Sequence, residues 1–258
     1  MVGNFFKGIG TYGKAINLLN RYRLWRWVLL PGLISLVLGG AVITFAAFYV
    51  DDLSIWLGEK WPFEFGEQVF EVVVGILSVI VMVVLVLLSL KYIILVLVSP
   101  FMGTLSEQVE AKVTGKPAPE ASFGQIFADI GRGLAIAARN IVRELFYTIV
   151  LTVVGLFFPV VGQVLSSVLI FMVQSYYLGF GNMDFALERR RYSVADTVDF
   201  VNSYRWMVMG NGAAFILLLL IPGVGLLLAP GLGTVAATLN AMEALDGVTY
   251  QSRDMVED

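Results

Sequence analysis

Phe158-Pro159-Val160-Val161-Gly162-Gln163 and Ile221-Pro222-Gly223-Val224-Gly225 decide how this chain folds, because each interrupts an uncharged run of awkward length. The runs are Leu145–Gly181 and Trp206–Met242, each 37 residues without Asp, Glu, Lys or Arg. One helix of that length would measure about 55 Å, against a bilayer hydrocarbon core of about 30 Å. Two full crossings and a turn would need roughly 44 residues. Each run is therefore too long to cross once and too short to cross twice. Proline removes an amide donor and clashes with the preceding turn, and glycine frees the backbone. The reading that satisfies both facts is a pair of helical hairpins, 145–181 and 206–242, each entering the bilayer, turning at its Pro–Gly corner and leaving on the same side. Irregular backbone at that depth must be buried in protein or face water. Such hairpins need neighbours, so a homo-oligomer is expected.

Upstream lie two runs of ordinary spanning length. Trp27–Val50 holds 24 uncharged residues and reaches roughly 36 Å; Val72–Val98 holds 27, broken only by Lys91, which is placed to snorkel. The expected architecture is all-α and integral to the membrane, with transmembrane helices at 27–50 and 72–98. Composition agrees: 58 % of the 258 residues are apolar and 14 % charged, where a soluble chain is nearer half and a quarter. Mean hydropathy is +0.83. Charge sets the orientation. The loop 51–71 carries six acids and one base, Lys60, while the other 16 bases lie elsewhere. Excess Lys and Arg mark the cytoplasmic side. Both termini are thus expected in the cytoplasm and loop 51–71 outside. Hairpins keep Arg189, Arg190, Arg191 and Arg205 inside, whereas single crossings would export them.

The remaining pieces read as cytoplasmic. Residues 1–26 place Phe5, Ile9, Tyr12, Ile16 and Leu19 at helical spacing, with Lys7, Lys14 and Arg21 seven apart, the pattern of an amphipathic arm on anionic lipid. Within 101–144, Ser122 is the expected cap of a helix running toward Leu145, on which Arg132, Arg139 and Arg143 share a face. Ser193 caps a further helix in the loop 182–205, and 243–258 forms a tail.

The chain contains no cysteine and no histidine, which removes thiolates, disulfides, imidazole bases and the usual zinc or haem ligands. Gly115-Lys116 lacks the spacing of a phosphate-binding loop. Glu107 and Glu110 sit one helical turn apart and read as salt-bridge partners. No enzyme activity, cofactor, metal or nucleic-acid partner is expected.

Four stretches carry a resemblance: Val28-Leu29-Leu30-Pro31 after a basic aromatic cluster; Ser99-Pro100-Phe101-Met102-Gly103-Thr104-Leu105-Ser106-Glu107-Gln108-Val109-Glu110-Ala111 with Thr114-Gly115; Phe158 to Gln163; and Asp184-Phe185-Ala186-Leu187-Glu188-Arg189-Arg190-Arg191. In order and spacing they resemble the CysZ sulfate-permease family, whose wider domain family includes the eukaryotic etoposide-induced 2.4 membrane proteins. The resemblance implies two spanning helices, two partly inserted hairpins, a homo-oligomer in the bacterial inner membrane, and passage of sulfate into the cytoplasm for sulfur assimilation. It also implies a sulfate-binding arginine pair ahead of Val28; here those positions read Trp25-Arg26, with Arg23 close by.

Moving a doubly charged oxyanion requires replacements for its water, from oriented amides or guanidinium groups. Helix N-termini supply both N–H donors and partial positive charge, as in broken-helix transporters. The expected anion-binding residues are therefore Arg26, Arg23, Gly162, Gln163 and Gly225. Arg132, Arg139, Arg143, Glu107 and Glu110 are expected at a pore mouth. Each has a structural alternative: an interfacial anchor for Arg26, turn formation for the glycines, ion pairing for the arginine stripe. The alternative for the whole chain is a membrane-organising or partner-binding protein through which nothing passes.

Overall fold

A computed structural model describes residues 2–58, 98, 100–115, 123–158 and 161–250. Most of the expected second spanning run, with Lys91, lies outside the described residues. So do loop residues 59–71, the expected cap Ser122, Pro159 and Val160 of the first corner, and the tail beyond Tyr250.

Among the described residues all regular structure is helical. The helices are α1 (Val2–Tyr22), α2 (Trp25–Gly58), α3 (100–114), α4 (Phe123–Phe157), α5 (Val161–Arg189), α6 (Val194–Ser203), α7 (Arg205–Leu219) and α8 (Val224–Asp246). Three are long and apolar enough to cross a membrane: Trp25–Tyr49 within α2, then α5 and α8. The chain divides into two compact units, Met1–Leu33 with Val98–Asp258, and Ile34–Leu97.

In the second unit the outer part of α2 exposes Val37, Ile43, Phe45, Phe48 and Ile55. The helix continues through Asp51 and Asp52 to Gly58, beyond the edge expected at residue 50. Nothing between Asp51 and Leu57 breaks a helix.

The first unit is built around α5, α7 and α8, with α1 on one side and α4 on another. Its core joins Phe180, Met183 and Leu187 of α5 to Phe200 and Val201 of α6, Met207 and Val208 of α7, and Ala237 and Ala241 of α8. Glycines let the helices touch along their backbones. A Cβ on Gly212 would lie 2.7 Å from the Gly179 amide nitrogen, and one on Gly179 would lie 2.8 Å from the Val208 carbonyl carbon. Helices that approach this closely associate through dispersion and backbone contact, the packing mode available where lipid removes the hydrophobic drive.

On either side of the two proline–glycine stretches, α4 packs against α5 and α7 against α8. Gly155 of α4 packs under the Ser166 side chain of α5, and Gly225 of α8 lies against Leu218 and Leu219 of α7. The helices outrun the uncharged segments: α4 has 35 residues and α5 has 29, because neither carries a breaker where its charges begin.

The N-terminal arm departs from its expected setting. Its buried residues are Gly8, Thr11, Tyr12, Ala15, Leu18 and Leu19, facing α7 and α8, while Phe6 and Ile16 are exposed. The seat of this face is protein. The expected stripe misplaced it because Gly8, Thr11 and Ala15 are too small or polar to register as apolar. Small residues are what close helix packing selects.

Candidate functional site

A seam of neutral polar side chains runs through the helices that the sequence marks as apolar. Asn182 of α5 donates through its Nδ2 to Asn211 Oδ1 on α7 at 2.9 Å, and Asn211 donates onward to the Gly233 carbonyl on α8 at 3.3 Å. The Tyr12 hydroxyl donates to the Asn211 carbonyl at 2.9 Å. Burial pushes that phenol's pKa well above its ordinary value, so it remains a donor. Thr11 lies 2.8 Å from both the Lys7 carbonyl and the Asn240 carboxamide. A hydroxyl has one proton to give. That of Thr11 is shared between two oxygens, the Lys7 carbonyl and Asn240 Oδ1. Thr238 donates to the Thr234 carbonyl at 2.8 Å and lies 2.9 Å from the Ser106 hydroxyl of α3. Asn211, Thr234, Thr238, Asn240 and Ser106 have no exposed surface. Buried amides and hydroxyls are costly unless paired, so this seam fixes the register of α1, α5, α7 and α8. Sequence reading passed over these residues by counting only charges; the signal was Asn and Thr recurring inside otherwise apolar runs.

Arg132 is drawn inward. Its Nε donates to the Tyr192 carbonyl at 2.6 Å, and one terminal nitrogen donates to Asp184 Oδ1 at 2.8 Å and Thr197 Oγ1 at 2.6 Å. Glu188 stands 3.8 Å from the other nitrogen. The pair is deeply placed, with side-chain exposures of 14 % for Arg132 and 9 % for Asp184. Arg139 is half-buried, donating to Asn140 Oδ1 at 3.0 Å with its guanidinium carbon 6.0 Å from the centre of the Phe180 ring. Arg143 is exposed. The shared face of the three arginines thus grades from protein-bound to open along α4. Asp184 belongs to one of the four resembling stretches, but spacing alone did not mark it as a partner for Arg132; its signal was an acid at the end of a long uncharged run.

Glu110 pairs with Arg189 and, at 3.3 Å, with Arg190, which also donates to Asp246 at 2.9 Å. Glu107, half-buried, lies in the field of Arg189. These contacts tie together the ends of α3, α5 and α8.

At the α1–α2 corner, Arg23 and Arg26 are exposed, and the Arg26 guanidinium carbon sits 5.6 Å from the centre of the Trp27 ring. Trp25 Nε1 donates to Asn20 Oδ1 at 2.7 Å. Arg23 has φ of 53°. It occupies the left-handed position of a Schellman end, with Leu24 N–H on the Leu19 carbonyl at 3.0 Å and its own N–H on the Asn20 carbonyl at 3.4 Å. Arg191, φ 61°, ends α5 with the same bond pattern. Glycine is the usual occupant of such positions, and a side chain there carries strain.

The Gly162 N–H donates to the Phe158 carbonyl at 2.8 Å and the Gly225 N–H to the Ile221 carbonyl at 2.8 Å. In this arrangement both amides are taken up in closing their turns. Gly162 is also buried beneath Phe158, while Gln163 is exposed at the start of α5. The expected anion-binding residues are therefore not gathered at one point: Arg23 and Arg26 lie at the α1–α2 corner, Gly162 and Gln163 at the first corner, and Gly225 at the second.

A helical protein with three membrane-length apolar helices, close glycine packing and neutral polar side chains along its core has the make-up of a polytopic membrane protein. The family described as Sulfate transporter CysZ/Etoposide-induced protein 2.4 matches residues 11–230, and the chain belongs to it. The chain is 28 % identical over 236 residues to a Sulfate transporter CysZ of Pseudomonas paraeruginosa, covering 88 % of this chain and 91 % of the relative. It is 30 % identical over 219 residues to one from Pseudomonas fluorescens, covering 83 % and 84 %. It is 25 % identical over 226 residues to one from Vibrio parahaemolyticus, covering 86 % and 89 %.

Proposed function

We propose that this chain carries sulfate, or a closely related oxyanion, across the bacterial inner membrane into the cytoplasm. Both termini lie on the cytoplasmic side and several copies assemble together. Helices at 27–50 and 72–98 span the bilayer, while 145–181 and 206–242 dip in from the cytoplasmic face and return. The matches to named sulfate transporters across most of the chain support the substrate class.

The single observation that carries the mechanism is the neutral polar seam Asn182–Asn211 and its neighbours on α1 and α8. A divalent anion passes only where its lost water is replaced by donors that hold it loosely enough to let it go. Neutral amides and hydroxyls hold an anion more loosely than a full guanidinium charge does, and Arg132 is besides held by Asp184. Arg23 and Arg26 gather the anion at the α1–α2 corner. Gln163 and the backbone around Gly162 and Gly225 shape the two inner turns. Arg143 is the open end of the arginine row, with Arg139 behind it, and Arg132 holds the cytoplasmic helices in position with Glu107 and Glu110. No cofactor takes part.

The test is labelled-sulfate uptake into liposomes holding the purified protein, alongside sulfite, phosphate and chloride. Uptake above protein-free vesicles is expected, reduced by Arg26→Gln and by Asn211→Leu in variants that elute as folded protein. Permeability equal to protein-free vesicles for all four anions would remove this reading and leave the membrane-organising one.

A further inference from the structure

Arg143 and Arg205 stand at the thresholds of the uncharged runs 145–181 and 206–242, and both are exposed. Tyr176 of α5 ties them to one place. Its hydroxyl donates to Asn202 Oδ1 on α6 at 2.9 Å, and its ring meets Phe180 edge-on with centroids 6.2 Å apart. The Arg139 guanidinium carbon stands 6.0 Å from the centre of that same Phe180 ring. Tyr176 lies in the fields of Arg139, Arg143 and Arg205, and no carboxylate joins them there. Helices α4 and α5 and the α6–α7 corner thus bring three guanidinium groups together. Among the described residues none of the three makes an ion pair. Glu144 follows Arg143 in the chain but is turned into the protein, at 1 % exposure.

What lies beyond these arginines along α4 narrows the anion that suits them. Arg139, Arg143, Tyr147, Val150 and Val154 follow at spacings of four, four, three and four, so they share one face of the helix. Tyr147, Val150 and Val154 are all exposed, as are the flanking Phe146, Ile149 and Val153. One surface therefore passes from guanidinium to phenol to aliphatic side chains without a charge intervening. The rise from Arg143 to Val154 is about 16 Å, close to half of a hydrocarbon core of about 30 Å. A free oxyanion would use only the first of these zones. A phospholipid uses all three: phosphate at the arginines, glycerol ester beside Tyr147, and acyl chain along the valines. Guanidinium groups pair bidentately with phosphate, and basic clusters at the cytoplasmic membrane edge are where anionic headgroups collect.

We propose that Arg139, Arg143 and Arg205 form a binding site for the phosphate of an anionic phospholipid of the cytoplasmic leaflet, with its acyl chain lying along Tyr147, Val150 and Val154. The lipid supplies the counter-charge that the protein withholds. It also clamps α4 to the start of α7, since Arg143 and Arg205 lie on different helices and share one headgroup. The proposal uses the membrane placement given above but not the passage of sulfate, so a failed uptake assay leaves it standing.

The test is a titration of the full chain in detergent with phosphatidylglycerol or phosphatidylcholine, bound lipids being counted by native mass spectrometry. Phosphatidylglycerol should bind about tenfold or more tightly than the zwitterionic lipid. Arg143→Gln and Arg205→Gln should each weaken its binding about fivefold, and the pair together about 25-fold. Lys112→Gln, which removes an exposed base on α3, should leave binding unchanged. The charge-preserving pair Arg143→Lys/Arg205→Lys should keep most of the affinity and serves where the glutamine pair fails to fold. In that case the unmodified chain must also lose its preference in about 0.5 M sodium chloride, where charges are screened within a few ångströms. Equal binding of the two lipids would overturn the proposal, as would a glutamine pair no weaker than Lys112→Gln. Displacement of bound phosphatidylglycerol by millimolar inorganic phosphate or sulfate would overturn it too, marking the cluster as a site for free oxyanions.

Discussion

Replacing Gly212 with alanine isolates the physics that holds the first unit together. The added Cβ would stand 2.7 Å from the Gly179 amide nitrogen, with the Ser175 carbonyl oxygen nearer still. Ordinary non-bonded contact lies near about 3.5–4.0 Å, so α5 and α7 must part by about 0.8 Å or more. Both opposing groups are backbone, and no rotamer change relieves the clash. Gaps of about 0.5–1 Å forfeit a quarter to a half of each neighbouring contact's attraction. Overpacking costs about 1–3 kcal/mol, and this site belongs at the upper end. Alanine returns about 0.5–1 kcal/mol through helix propensity. The net loss is about 2–2.5 kcal/mol, a fall in melting midpoint of about 4–10 °C for a chain of this size. Gly10→Ala is the control, because nothing lies within 4 Å of its Cβ position. It keeps the propensity gain alone and should raise the midpoint by about 1–4 °C. Thermal unfolding in detergent, followed by fluorescence of the five tryptophans, reads both. A Gly212→Ala midpoint that stays level, or rises with Gly10→Ala, would refute direct backbone packing of α5 on α7.

Arg132→Gln and Asp184→Asn should each destabilise by about 3–5 kcal/mol, and the double variant by clearly less than their sum, since each single change strands a buried charge; chemical denaturation in mixed micelles measures the cycle. Arg23→Gly should stabilise the α1 terminus by about 0.5–1 kcal/mol yet weaken sulfate capture, whereas Arg23→Gln should weaken capture without stabilising, so melting and binding together separate strain from charge. Asp196 accepts from the Ser193 hydroxyl and amide in the capping box of α6, which holds its carboxyl below the usual carboxylate range. A depressed pKa means the cap is intact above about pH 4 and lost as pH falls through the carboxyl's folded value. Amide exchange in the first turn of α6 should therefore accelerate below about pH 4 relative to its intrinsic rate, and Asp196→Asn should show no such step.

Charge counting and breaker residues marked the all-helical, membrane-type character of the described residues, because proline and glycine act locally and a missing charge is visible in any window. They also found the basic corner and the capping role of Ser193. They missed the seat of α1, where Gly8 and Ala15 matter by being small, and the Asn182–Asn211 seam, whose members carry no charge. They placed Arg132, Arg139 and Arg143 correctly on one face of α4. What lies against that face, α5 at one end and open space at the other, depends on tertiary packing that no spacing rule contains. The same holds for the amides of Gly162 and Gly225. Glycine signals a turn, but which carbonyl receives its N–H is settled only when the turn has closed.

Thr11 meets Asn240 across 229 positions of chain. At synthesis rates of about 5–20 residues per second, α1 leaves the ribosome roughly ten to fifty seconds before its partner exists. Through that interval its small polar face, Gly8, Thr11 and Ala15, has nothing to clasp. On the proposed membrane placement, the arm's basic and apolar edges would hold it at the lipid surface until then. A nascent chain stopped before α8 should then be held by the bilayer yet readily cut near its N-terminus by protease, and completing the last helix should switch that sensitivity off.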